Sequence, residues 1–393
     1  MDVKPTTPQR PQQPPRRPPV LIAWQWVFNI ASLALVWLFV INWPRLAIRI
    51  RLAPEQSLFR SPWLLLLATV LVLLGTAALH ELGHLLAGRA AGLRFQMLGI
   101  GPLRLSRAAP DEQLRLTWQR PRGLSLFDGV AASLPDSTDN LPRRMLIFAL
   151  GGPLFSLLQV VLSTGLFFFL VRTLDRALQW AWVWEAALLS GVVAFLFLLT
   201  AIRPGPYPNG LPADGQRIWM LLTDPPTAER WCALVALNAL DNRGIRPRDW
   251  PAELLQRALA RQDNDLDTLH ALLLAAQTAL DRQEWKEADD YFTRALDLPF
   301  AWSGGMASRF AVEKAFLAAW QEGDIDAAES WLARLSRSET DPAVQRLATA
   351  FYLAAGDLET ARLRAARARD QLRQRPRTGT IKAELALLES MFV

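Results

Sequence analysis

Cysteine is nearly absent from this 393-residue chain, occurring once, at Cys232. A single thiol excludes an intramolecular disulfide and suits a soluble segment in a reducing compartment, where it reads as a small buried apolar residue. Histidine is almost as scarce, with three in all, His80, His84 and His270. A metal site here must therefore draw on carboxylates unless all three histidines meet. A removable leader is not expected either. The apolar stretch that begins near position 20 is too long for a signal-peptide core and has no small-residue cleavage site, so it reads as a retained span.

Charge is unevenly spread. Residues 1–222 carry 21 Lys+Arg against 11 Asp+Glu, whereas residues 223–393 carry 22 against 26. The basic excess sits in short stretches beside apolar runs, where it sets membrane topology, and this argues against a nucleic-acid partner. Three domains are expected from these shifts. Residues 1–19 form a Pro-rich tail with Lys4, Arg10, Arg16 and Arg17, too polar to bury a core and expected to be disordered. Residues 20–222 form a membrane half, and residues 223–393 a soluble helical half.

Four spans are expected, at about 20–42, 62–88, 145–171 and 182–202, each near the length that crosses the hydrocarbon core. The 89–144 loop holds nine arginines, against four in 43–61 and two in 172–181. That bias places the N-terminus and the soluble half on the cytoplasmic side of a multi-pass cell-membrane protein. Trp24, Trp26, Trp43, Trp63, Trp180, Trp182 and Trp184 flank the spans and read as interfacial anchors.

The chemistry lies at the end of the second span. The run from Pro62 to Leu79 has no ionisable residue, and it leads directly into His80-Glu81-Leu82-Gly83-His84. Two histidines four apart on a helix share a face and can bind one Zn²⁺, and the intervening glutamate can take a proton from a water that the ion activates. Ionisable groups at that depth are costly and mark function.

A catalytic zinc takes three protein ligands. An extended zincin pattern would put a histidine six residues after His84, but Ala90 stands there. His270 lies far off in a helix-like stretch of the soluble half, where it reads as a packed or surface residue. Glu185 and Asp175 belong to the opposite face, and Asp111, Asp128, Asp136 and Asp139 occupy the polar inner loop, where each is a candidate third ligand that nothing further supports. Asp214 follows a stretch, Pro204 to Gly215, that holds four prolines and three glycines. Irregular backbone at membrane depth is tolerated where it lines a polar cavity, so Asp214 is the favoured third ligand; the bland alternative is a helix N-cap. Spans two and four run in the same direction, so Asp214 and the histidine pair meet the same face of the membrane.

These residues resemble the site-2 protease family of intramembrane zinc metalloproteases over roughly residues 70–220. HELGHLLAGRAAGLRFQMLGIGPL is similar to that family's metal-binding helix followed by Gly92 and a short amphipathic hairpin. GGPLFSLL at 151–158 resembles its Gly-Pro motif, and LPADGQRI at 211–218 its Asp-Gly motif. The resemblance implies that His80, His84 and Asp214 bind zinc and that Glu81 is the general base. Ser156 stands where the family often has an asparagine, and Asn209 lies near Asp214 while Thr200 holds the position of the other expected asparagine. The stretch between motifs is too short for a PDZ domain. Residues 93–120 alternate enough to form short strands around a polar turn at Pro110-Asp111-Glu112, and an exposed strand edge there could hold a substrate in extended form.

The soluble half is rich in Ala, Leu, Arg and Glu and has helical periodicity. Ala288, Ala328 and Ala361 recur at intervals of 40 and 33 in similar segments. This resembles the tetratricopeptide repeat, whose small residues let paired helices approach and which binds protein partners. The seven arginines from Arg362 to Arg377 read as a solvated helix face. The expected fold is mainly α, a polytopic membrane protein with a small β-hairpin element and a helical repeat domain. The expected activity is cleavage of transmembrane segments of other proteins near the cytoplasmic face. The alternative is a non-proteolytic membrane scaffold that binds partners through its repeats, but such a vestige should have lost a ligand or the base, and all four residues are present.

Overall fold

The structure, a computed structural model, describes residues 19–52, 57–107, 113–119, 129–207, 212–261, 263–298, 306–332 and 341–392. The Pro-rich tail up to residue 18, the turn at Pro110-Asp111-Glu112, and Asn209 lie outside the described residues. The chain is mainly helical, with one small antiparallel sheet.

Helix α1 (Pro19–Leu52) covers the first expected span and runs on past it, so much of the expected 43–61 loop is helical. Helices α2 (Pro62–Ala90), α3 (Leu141–Val171) and α5 (Ala181–Ala201) are each long and apolar enough to cross a membrane. Their outer faces carry exposed Leu67, Leu71, Leu162 and Phe168. Water would penalise so much exposed apolar surface, whereas lipid does not. Ser61 caps α2 by accepting a hydrogen bond from the Leu64 amide, and Pro62 occupies a first-turn position that needs no donor. The helix stops at Gly92, whose positive φ of 77° suits glycine.

Helices α2 and α3 meet backbone to backbone. A Cβ on Gly83 would lie 2.4 Å from the Gly151 carbonyl oxygen, and one on Gly151 would lie 2.3 Å from that of Gly83. Such glycines let membrane helices pack closely where no hydrophobic drive favours association over lipid contact. A short helix, α4 (Leu174–Gln179), links α3 to α5. Trp184 departs from the interfacial role expected of it: it is fully buried, and its indole N–H donates to the Ala177 carbonyl at 2.8 Å. Trp26, Trp63, Trp180 and Trp182 are exposed as anchors would be.

Between α2 and α3 lies the sheet, in the order β3-β2-β1-β4. Strands β1 (Leu93–Ile100) and β2 (Leu103–Ser106) turn at Gly101-Pro102, β3 (Arg115–Trp118) follows, and β4 (Gly129–Pro135) returns to pair with β1 across a bulge between Phe95 and Met97. The first stretch of the expected hairpin is thus itself two strands. Strand β4 was not expected, because its sequence GVAASLP lacks apolar alternation; it is positioned by packing on α2 and pairing with β1.

Beyond α5 the chain loses regular structure, forms a bridge between Pro206 and Pro212, and resumes as α6 (Asp214–Thr223). The second half follows as α7 (Pro225–Asn242), α8 (Ala252–Leu259), α9 (Leu266–Asp281), α10 (Trp285–Leu296), α11 (Met306–Leu317), α12 (Ile325–Leu332), α13 (Pro342–Ala354), α14 (Leu358–Arg373) and α15 (Gly379–Ser390). Successive helices pack as pairs, α9 on α10, α11 on α12 and α13 on α14. The second helix of each pair has a buried alanine at its fourth position: Ala288, Ala328 and Ala361. A left-handed residue, Gln283, Gly323 or Gly356, precedes each of these helices by two positions. The two halves share a core in which Leu93, Leu141 and Met145 meet Cys232 and Ala236 of α7.

Candidate metal centre

Positions 80 and 84 on α2 are one turn apart, so their rings point the same way. Both are almost wholly buried, with 3% and 4% of their surface exposed. Their Nε2 atoms lie 3.2 Å apart. Asp214 Oδ2 lies 2.9 Å from His80 Nε2 and 3.3 Å from His84 Nε2. A tetrahedral zinc with bonds of about 2.0–2.1 Å holds its ligand atoms roughly 3.3 Å apart, so the three atoms already form a face of the right size.

Proton placement tests the fit further. His84 Nδ1 sits 2.8 Å from the Phe148 carbonyl oxygen, which can only accept, and 3.3 Å from the Gly152 amide, so a proton on Nδ1 satisfies the shorter contact. That tautomer leaves a lone pair at Nε2. His80 Nδ1 lies 2.8 Å from Ser156 Oγ, which can accept in the same way. With the protons on Nδ1, two imidazole lone pairs and a carboxylate oxygen converge within 3.3 Å of one another, an arrangement suited to a cation. The donor set, two nitrogens and one oxygen, is that of catalytic zinc sites with a position to spare.

Helix α3 closes the opposite wall. A Cβ on Gly152 would fall 2.3 Å from His84 Nε2 and 2.6 Å from His80 Nε2, so only glycine leaves the nitrogens room. Pro153, next in the chain, lacks an amide hydrogen, which frees the Ala149 carbonyl from its usual helical partner. Phe148 stacks on His84 at 5.1 Å between centroids, and Phe197 of α5 meets the edge of His80 at the same distance. Asp214 reaches the site because Gly215 nestles on the end of α5, where a Cβ would lie 2.1 Å from the Ile202 carbonyl oxygen.

Glu81 is buried between the histidine face and the sheet. Its carboxylate lies against Gly129, where a Cβ would meet Glu81 Oε1 at 2.4 Å, and hydrogen-bonds the backbone of Ala131. Both positions belong to β4, which pairs only with β1 among the described strands. The candidate base therefore borders the free edge of a strand.

The other carboxylates and the third histidine stand elsewhere. His270, on α9, has Nε2 3.3 Å from Asn238 Nδ2 and is no part of the cluster. Asp136 pairs with Arg94, Asp139 is exposed, and Asp111 and Asp128 lie outside the described residues. Glu185 is buried at the far end of α5, where it accepts from the Ser57 hydroxyl and from the Leu58 amide. It ties the turn before α2 to α5, a role no motif announces. Asp214 does not act as the N-cap of α6; that position is Ala213. Sequence reasoning missed Phe148, Phe197 and β4 as parts of the site. Ser156 carried a signal through its place in the Gly-Pro segment, but its bond to His80 arises from the packing of α3 on α2.

No protein-family model, curated protein or solved structure matches the chain.

Proposed function

We propose that the chain is an intramembrane zinc endopeptidase of the site-2 protease kind, cutting transmembrane segments of other proteins near the cytoplasmic face. The observation that carries this reading is the convergence of His80 Nε2, His84 Nε2 and Asp214 Oδ2 within 3.3 Å, two of them on a helix long and apolar enough to cross a membrane. His80, His84 and Asp214 would hold the ion. Zinc in such a donor set lowers the pKa of water and polarises a carbonyl.

The remaining work falls to the protein. Glu81 takes the proton of the attacking water and passes it to the leaving amine. Ser156 and the Phe148 carbonyl hold both imidazoles in orientation. The edge of β4 beside Glu81 receives the substrate as an added strand, which matters because a helix hides its peptide bonds. In this reading α1 is a fourth span, both termini are cytoplasmic, and lipid surrounds the first half. The helix pairs of residues 223–393 act as tetratricopeptide-like repeats that bind a protein partner or the substrate.

Comparing membrane proteomes of cells with wild-type enzyme and with Glu81→Gln tests the reading. Single-span proteins are expected to accumulate uncut in the variant while its zinc content stays at wild-type level. Undiminished cleavage by Glu81→Gln would overturn the mechanism.

A further inference from the structure

The ligand set is divided between two helices, α2 and α6. Two ligands stand on α2, deep in the membrane half. The third stands on the first turn of α6, a ten-residue helix reached through irregular chain. What holds α6 in place therefore decides whether Asp214 meets the histidines.

One turn after Asp214, Arg217 leaves the same helix toward the second half. It donates two hydrogen bonds to Asp267, from Nη1 to Oδ2 at 2.9 Å and from Nη2 to Oδ1 at 3.1 Å. This paired geometry is the strong, directional form of the arginine–carboxylate contact. The guanidinium also lies 4.3 Å over the Trp231 ring of α7. Both side chains are largely withdrawn from solvent, at 15% and 19% exposure, so water screens the pair weakly.

The receiving end is itself anchored. Asp267 lies in the first turn of α9, which Asp265 caps by accepting from the Thr268 amide at 2.7 Å. Arg230, only 1% exposed, bonds Asp265 and Thr268 and stands 4.0 Å from Asp267. An arginine that deep is maintained only with its carboxylates in place.

We infer that Arg217 and Asp267 are a positioning pair through which the second half of the chain holds Asp214 at the metal. The inference rests on the metal reading proposed above and adds its regulation. A partner that shifts α9 against α3 pulls on Arg217, and the displacement reaches the carboxylate one turn away. Occupancy of the helical half and affinity for the ion are then linked, and each changes the other by the same factor.

Zinc affinity of the detergent-solubilised full-length protein, measured by competition with a chelator, tests the pair. Arg217→Met and Asp267→Asn should each weaken zinc binding by up to about 10–100-fold, the cost of losing a group bonded directly to a ligand. The double variant should be no weaker than the worse single one, because both remove the same contact. Arg217→Lys, which keeps the charge but not the fork, should fall between wild type and Arg217→Met. Circular dichroism melting of the same samples separates ligand displacement from loss of fold. Unchanged affinity in the single variants, additive losses in the double, or weakening only where the helices have melted would each overturn the pair. Zinc held by the wild type and shared equally by the variants removes the pair alone. A wild type that binds no zinc removes the metal reading and the pair together.

Discussion

Gly152 presents a bare Cα to His84, and a single added carbon there would stand 2.3 Å from the ring nitrogen that faces Asp214. The contact makes one backbone position on α3 a wall of the candidate centre. Gly152→Ala should therefore lower zinc affinity by at least about 100-fold, the upper end of what loss of an outer-shell partner costs. Gly165, with open space around its Cα, is the matched control, and Gly165→Ala should bind zinc as the wild type does. Equal affinity in Gly152→Ala would mean the nitrogens are not where the ion binds.

Ser156 supports His80 through its hydroxyl, at 2.8 Å from Nδ1. Removing the hydroxyl leaves His80 free to rotate and to place its proton on either nitrogen. Ser156→Ala should weaken zinc by about 10–100-fold, and Ser156→Asn, whose side-chain oxygen can also accept, should recover part of the loss. Chelator competition measures both.

Cys232 is the only thiol, and it lies in the core shared by α3, α7 and β1. Burial pushes it up to about 12. At pH 8 the thiolate is then scarcer than that of a free cysteine by on the order of 1000-fold, and reagents must also wait for the core to open. Maleimide labelling of the native protein should be correspondingly slow and should jump when the junction between the halves opens. Fast labelling of the native protein would contradict the packing at this junction.

Some of this architecture is legible in residues alone, for reasons that differ from place to place. The helices at 62–90, 141–171 and 181–201 follow from apolar length, a signal that lipid makes nearly independent of tertiary context. The histidine pair follows from helical period. Asp214 is favoured by elimination and by the prolines and glycines that break the helix before it, and it does lie beside the histidine pair. Strand β4 is not legible, because GVAASLP has no alternation and exists as a strand only through β1 and α2. Trp184 misleads, since a tryptophan at a span end usually meets the interface, whereas here Phe59 and Phe167 pack around it. The Arg217–Asp267 pair spans 50 residues of sequence with no motif at either end. Long-range ion pairs of that kind are products of packing.

Metal analysis of the purified full-length protein, with X-ray absorption at the zinc edge, tests the central claim most directly. One zinc per chain is expected, with two imidazoles and one carboxylate oxygen in its first coordination sphere, and His84→Ala should purify without it. Wild-type protein that holds no stoichiometric metal, or that holds as much after His84→Ala as before, would contradict the account.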